Sequence, residues 1–134
     1  MSALMLEAIA GRPVAVHAPH RVVRGYVAIR ELMSLVFALL LDPKPGVIRF
    51  DTGGEPMELA EVADAIASLT GGTFVRAALT SEADDCYVGK RTAYDRLLAD
   101  HQIATVPFAQ QLKETRSDLT RGVKNGDATV RIRD

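Results

Sequence analysis

The 134-residue chain has no tryptophan, only 5% aromatic residues and a single cysteine, Cys86. One thiol forms no internal disulfide, so apolar packing alone must hold the core. Long hydrophobic runs are missing too. The longest, Leu35 to Leu41, reaches back only to Leu32 across Ser34, well short of the roughly 20 residues a bilayer span requires. Neither sign of charge dominates: 16 Lys and Arg stand against 17 Asp and Glu, interleaved, for a net charge of −1. Such a balance gives no broad field for a phosphate backbone and does not suggest nucleic acid, a membrane surface or a strongly charged partner. Met1 to Glu7 carry neither the charged start nor the apolar stretch of a secretory signal, so the expected location is cytoplasmic. The phosphate-cradling spacings G-x-G-x-x-G and G-x-x-x-x-G-K-[ST] do not occur.

With 48% apolar and 25% charged residues, the chain reads as one small globular domain able to bury about 65–70% of its unfolded surface. The pattern predicts a helix over Met1–Ala10 closed by Gly11, a short strand at Pro13–Val16, a turn at Ala18–Arg21 and a second extended piece at Val22–Val27. A helix buried on nearly all sides follows from Arg30 to Leu41 and is stopped by Asp42-Pro43. Val47–Phe50 reads as a strand running into the turn Asp51-Thr52-Gly53-Gly54, with an amphipathic helix opening at Pro56 and closing at Gly71-Gly72. Thr73–Leu79 is a further strand candidate, and Ser81–Asp85 a polar loop. Helices are predicted over Thr92–Asp100 and from Phe108, the latter with Leu112, Thr115 and Leu119 on its stripe. The domain is placed at 1–120, with 121–134 a loosely held tail. The fold class is α/β, a small mixed domain of four to five helices with a few short strands. Leu35, Val36, Leu39, Leu40, Val62, Ile66 and Leu69 are its expected core.

Chemistry-bearing residues are sparse. His17 and His20 have H-x-x-H spacing, but Pro19 between them argues against a helix, and they read as solvated turn histidines. Cys86 has no neighbouring histidine to activate it and reads as a buried or half-buried thiol. His101 follows a helix end, where a cationic ring suits the dipole. Asp51-Thr52-Gly53-Gly54-Glu55 reads as an ordinary tight turn, because Asp51 and Glu55 would repel an anion. Arg24 stands apart, flanked by Val22, Val23, Gly25, Tyr26 and Val27. An unpaired guanidinium among apolar groups is costly, so it should meet Glu31, another carboxylate, or a bound phosphate or carboxylate.

The order of segments resembles the C-terminal substrate-binding lobe of the extended short-chain dehydrogenase/reductase family, the NAD-dependent nucleotide-sugar epimerases and dehydratases. In that family a segment of the type G-x-P-[IV]-x-V-[YFW]-G-x-G-x-x-x-R-[DG]-[FY]-[VI]-x-V-x-D precedes a buried helix. Here it runs from Gly11-Arg12-Pro13-Val14 to Arg24-Gly25-Tyr26-Val27-Ala28-Ile29-Arg30-Glu31. A strand of the type G-x-Y-N-[IV]-G-[SGT]-G has its counterpart in Gly46–Gly53, followed by Glu55-Pro56-Met57-Glu58-Leu59-Ala60-Glu61. The likeness continues more weakly through Tyr87–Leu98 and the last helix.

Several positions depart from the family pattern. The G-x-G glycines are Ala18 and His20 here, the strand asparagine is Arg49, the glycine after it is Asp51, and the loop Ser81–Asp85 lacks the family's arginine. Arg24 alone matches a substrate-facing residue, the arginine that faces the substrate phosphates. The family's catalytic Y-x-x-x-K pair is absent, since the residues four beyond Tyr26, Tyr87 and Tyr94 are Arg30, Arg91 and Leu98. The resemblance therefore implies a catalytically incomplete lobe, a fragment or one product of a split gene. Such a lobe would bind a nucleotide sugar, hold no cofactor or metal itself, and meet NAD on a Rossmann domain supplied by a partner chain, or self-associate. The alternative is a stand-alone non-catalytic binding or protein-interaction module that keeps the lobe's fold. A third reading, a metal or thiol enzyme using His17, His20 or Cys86, has the least behind it.

Overall fold

The computed structural model describes residues 1–43 and 45–125. The elements run α1 (Ser2–Ile9), β1 (Val14–Val16), β2 (Arg21–Tyr26), α2 (Ile29–Leu41), β3 (Glu55–Glu58), α3 (Leu59–Thr70), β4 (Phe74–Arg76), β5 (Asp84–Tyr87), α4 (Thr92–Asp100) and α5 (Phe108–Lys124). The result is the small mixed α/β domain the pattern predicts, with five helices and short strands among the described residues. None of these helices is long and apolar enough to cross a membrane.

The main core is built on α3. Val62, Ala63, Ile66 and Ala67 recur at the spacing of one helical face and are all buried. They pack with Met5 and Ala8 of α1, Val14 and Val16 of β1, and Phe108 and Leu112 of α5. β1 and β4 pair in parallel, Val14 opposite Phe74, beside this cluster. The start of α3 is fixed by Glu61, whose Oε2 accepts from the Glu58 amide at 3.0 Å. Its end is Gly71, at φ +72°, a left-handed conformation that suits glycine. Glu58, buried at the same start, receives both of its 2.8 Å hydrogen bonds from Arg76 Nη1. Burial alone would raise the Glu58 carboxyl, but the Arg76 hydrogen bonds, the Ala60 amide and nearby cations together hold it below its ordinary range.

A second, smaller cluster joins α2 and α4 through Leu35, Tyr94 and Leu98, with Phe50 stacked on Tyr94 at 5.9 Å between ring centroids. Between the clusters lies the sheet β3-β2-β5, antiparallel on one side of β2 and parallel on the other. The Gly53-Gly54 turn crosses β2 at backbone contact. A Cβ on Gly25 would collide with the Gly53 carbonyl, and one on Gly54 with the Tyr26 amide.

Several sequence expectations are corrected. Val47–Phe50 is not a strand; the β structure comes later, at Glu55–Glu58, and delays the helix from Pro56 to Leu59. The β-prone composition is real, but among the described residues Val47 and Ile48 have no neighbouring strand to pair with, and both are exposed. Part of the acidic loop, Asp84 and Asp85, is in β5, because β2 offers a parallel ladder there. The strand expected at Thr73–Leu79 contracts to Phe74–Arg76. α5 continues to Lys124, past Arg121 where the pattern fades, while 126–134 of the expected tail lie outside the described residues. The largest correction concerns α2. It is not buried on nearly all sides: Leu35 is fully buried, Val36 and Leu39 are half-buried, and Leu40 is 68% exposed. Leu69 is also half-buried.

These burial differences fix the expected mutational response. Ile66→Ala should destabilise the chain by about 2–5 kcal/mol through a cavity, whereas Leu40→Ala should stay within about 0.5 kcal/mol. Urea denaturation followed by circular dichroism measures both; comparable losses would contradict the assigned core.

Candidate functional site

Arg24 projects from β2, where the parallel ladder sets it opposite Tyr87 and brings β5 alongside. Its partner is Asp85. Arg24 Nη2 donates to Asp85 Oδ2 at 2.5 Å, and Nη1 donates to the Asp85 carbonyl at 2.8 Å and to the Val23 carbonyl at 2.9 Å. Of the partners weighed from sequence, Glu31 is thus excluded and another carboxylate takes its place. The Arg24 hydrogen bond holds the Asp85 carboxyl below its ordinary range, and the same contact raises the guanidinium. The pair is substantially exposed, 36% for Arg24 and 49% for Asp85, so the desolvation cost inferred from the apolar flanks is smaller in the fold. An incoming anion would have to compete with Asp85 for the fork.

Glu31 occupies a different position. It sits in the first turn of α2, 3% exposed, and its Oε2 accepts from the Val106 amide at 2.6 Å. A carboxylate there is favoured by the helix N-terminus. Among the described residues neither Glu31 Oε1 nor the buried Tyr94 hydroxyl makes a hydrogen bond of ordinary geometry, although the two groups are close enough to interact; Arg91 Nη2 stands 4.0 Å from Oε1. Arg91 also lies over the Tyr94 ring, 5.8 Å from its centroid, and donates to Asp95 Oδ1 at 2.7 Å. Burial first, and then the adjacent Glu31 carboxylate, push the Tyr94 phenol far above its usual range. Tyr26, Glu31, Glu55, Arg91, Val106 and Pro107 contribute to a cavity of about 290 Å³ beside this cluster. The arrangement pins the 105–107 segment to α2 and offers polar groups for binding.

The other sequence candidates are dispersed. His17 and His20 lie in the loop between β1 and β2, and no grouping of three metal-ligating side chains exists among the described residues. Cys86 is exposed on β5, not buried or half-buried, since β5 is a sheet edge. His101 does stand at the C-terminal end of α4, its amide bonded to the Leu97 carbonyl at 3.1 Å. The Asp51–Gly54 turn closes on itself, with Asp51 Oδ1 accepting from Gly53 at 3.0 Å. That turn does not fit a dinucleotide: it leads into β3 and not a helix, and its carboxylate faces its own amide.

Sequence reasoning missed Asp85 as the specific partner of Arg24, and it missed the pairing of Glu31 with a backbone amide 75 residues away. A lone glutamate in an apolar helix start was the available signal for the latter. Scanned against protein-family models and curated proteins, the chain matches none.

The electrostatic reading of the cluster is testable. In Glu31→Gln the Tyr94 phenol loses its neighbouring negative charge, so its ionisation should move down toward the ordinary tyrosine range while burial keeps it above that range. Alkaline ultraviolet titration, with Tyr26 and Tyr87 replaced by phenylalanine to isolate the signal, measures this. An unchanged Tyr94 titration would refute the coupling.

Proposed function

We propose that this chain is the substrate-binding portion of an NAD-dependent nucleotide-sugar epimerase or dehydratase, catalytically incomplete on its own, with NAD and the acid–base residues supplied by a Rossmann domain elsewhere. The observation that carries the reading is the uncovered outer face of α2, where Ile29, Met33, Phe37, Leu40 and Leu41 are all exposed together with Val47 and Ile48. Apolar surface of that extent marks an interface, and a complementary domain is what the resemblance calls for. Arg24, on the central strand β2 with its side chain 36% exposed, is the residue assigned to the substrate phosphates.

A second reading has its own support. Asp85 already fills the Arg24 fork, which favours a non-catalytic module that keeps the lobe's fold and binds a protein through α2.

Thermal unfolding with a panel of nucleotide sugars, and separately with NAD, distinguishes the two. The first reading expects a nucleotide sugar to raise the melting temperature by several degrees at saturation, with no response to NAD. Arg24→Ala should abolish the rise. Indifference to every nucleotide sugar would overturn that reading in favour of the protein-binding module.

A further inference from the structure

We propose that the groove between the C-terminal end of α3 and the outer face of α5 binds a compact, soluble oligophosphate. The groove is open to solvent and has a volume of about 480 Å³, within the range of about 300–1,000 Å³ typical of small-molecule sites. Its cations are Lys113, Arg116, Arg121 and Lys124, its hydroxyls belong to Ser117 and Thr120, and Leu69 of α3 supplies an apolar wall. Positions 113, 116, 117, 120, 121 and 124 advance by the three- and four-residue steps that keep side chains on one helical face. Among the described residues no carboxylate lines the groove, although the chain as a whole has a net charge of −1. Like charges at this spacing repel one another, and a bound multivalent anion removes that cost.

The individual side chains are available for such a ligand. Arg116 is anchored by one hydrogen bond, Nη1 to the Leu69 carbonyl at 2.9 Å, which leaves its other nitrogens toward the groove without a partner among the described residues. Lys113 and Lys124 have no acidic partner within 4.0 Å among those residues, and Arg121 has only a 3.8 Å contact to the exposed Asp118. Arginine forks, ammonium groups and hydroxyls together suit the several oxygens of linked phosphates. The size of the patch selects a short anion. Lys113 to Lys124 spans only about 16 Å of helix axis, and Glu114 and Asp118 border the stripe, so a long polyanion would run onto repelling carboxylates.

Isothermal titration of the full chain with inorganic tripolyphosphate at low salt tests it. The expected result is saturable one-to-one binding that weakens as salt rises. Affinity should fall about tenfold in Lys113→Gln and further in the Lys113→Gln/Lys124→Gln double variant, with unchanged helicity because both side chains are exposed. Arg96→Gln, on exposed α4 surface, should leave binding as it was. Absence of saturable binding, an equal loss in Arg96→Gln, or tighter binding of an oligothymidylate or of anionic phospholipid vesicles than of tripolyphosphate would overturn the proposal.

Discussion

The hydrogen bond from the Val106 amide to buried Glu31 determines how α2 lies on the domain. Glu31 and Leu35 are four residues apart and share one helical face. Both are buried, one tied to the segment before α5 and the other set against Tyr94 and Leu98. At about 100° per residue, Met33, Phe37 and Leu40 then fall on the opposite side, where all three are exposed. The helix thus turns a carboxylate inward and apolar side chains outward, against the usual preference. Removing that carboxylate alone would leave the Val106 amide unpaired in the interior.

The same bond links the two apolar clusters. Glu31 begins the helix that carries Leu35, and Val106 leads directly into Phe108 and Leu112 of the main core. The sheet between them is held by a contact only glycine permits, where Gly53 and Gly54 lie against Gly25 and Tyr26. The domain therefore buries its main apolar cluster among α1, α3 and α5 and leaves apolar side chains exposed along α2.

Much of this architecture was legible because it rests on local pattern. α3 shows its buried stripe in Val62, Ile66 and their neighbours, its stop in Gly71, and α5 shows Phe108 and Leu112. What was not legible depends on partners distant in sequence. Val47–Phe50 has strand-forming residues but finds no strand to pair with among the described residues, while Glu55–Glu58 and Asp84–Tyr87 become strands because β2 lies between them. The run Leu35–Leu41 suggested a helix covered all round, since sequence counts apolar residues and not the elements available to cover them. At the candidate site, the need of Arg24 for an anionic partner followed from its flanks. That the partner is Asp85 followed only from the parallel register of β2 and β5.

Whether the exposed outer face of α2 is an interface can be read from the solution mass of the chain across a wide concentration range, measured by light scattering beside a Phe37→Lys variant. If this face is an interface, the wild-type chain without a partner domain self-associates as concentration rises, and Phe37→Lys is monomeric with the same helical content. A wild-type chain that stays strictly monomeric at high concentration, or a Phe37→Lys variant that associates equally, would contradict it.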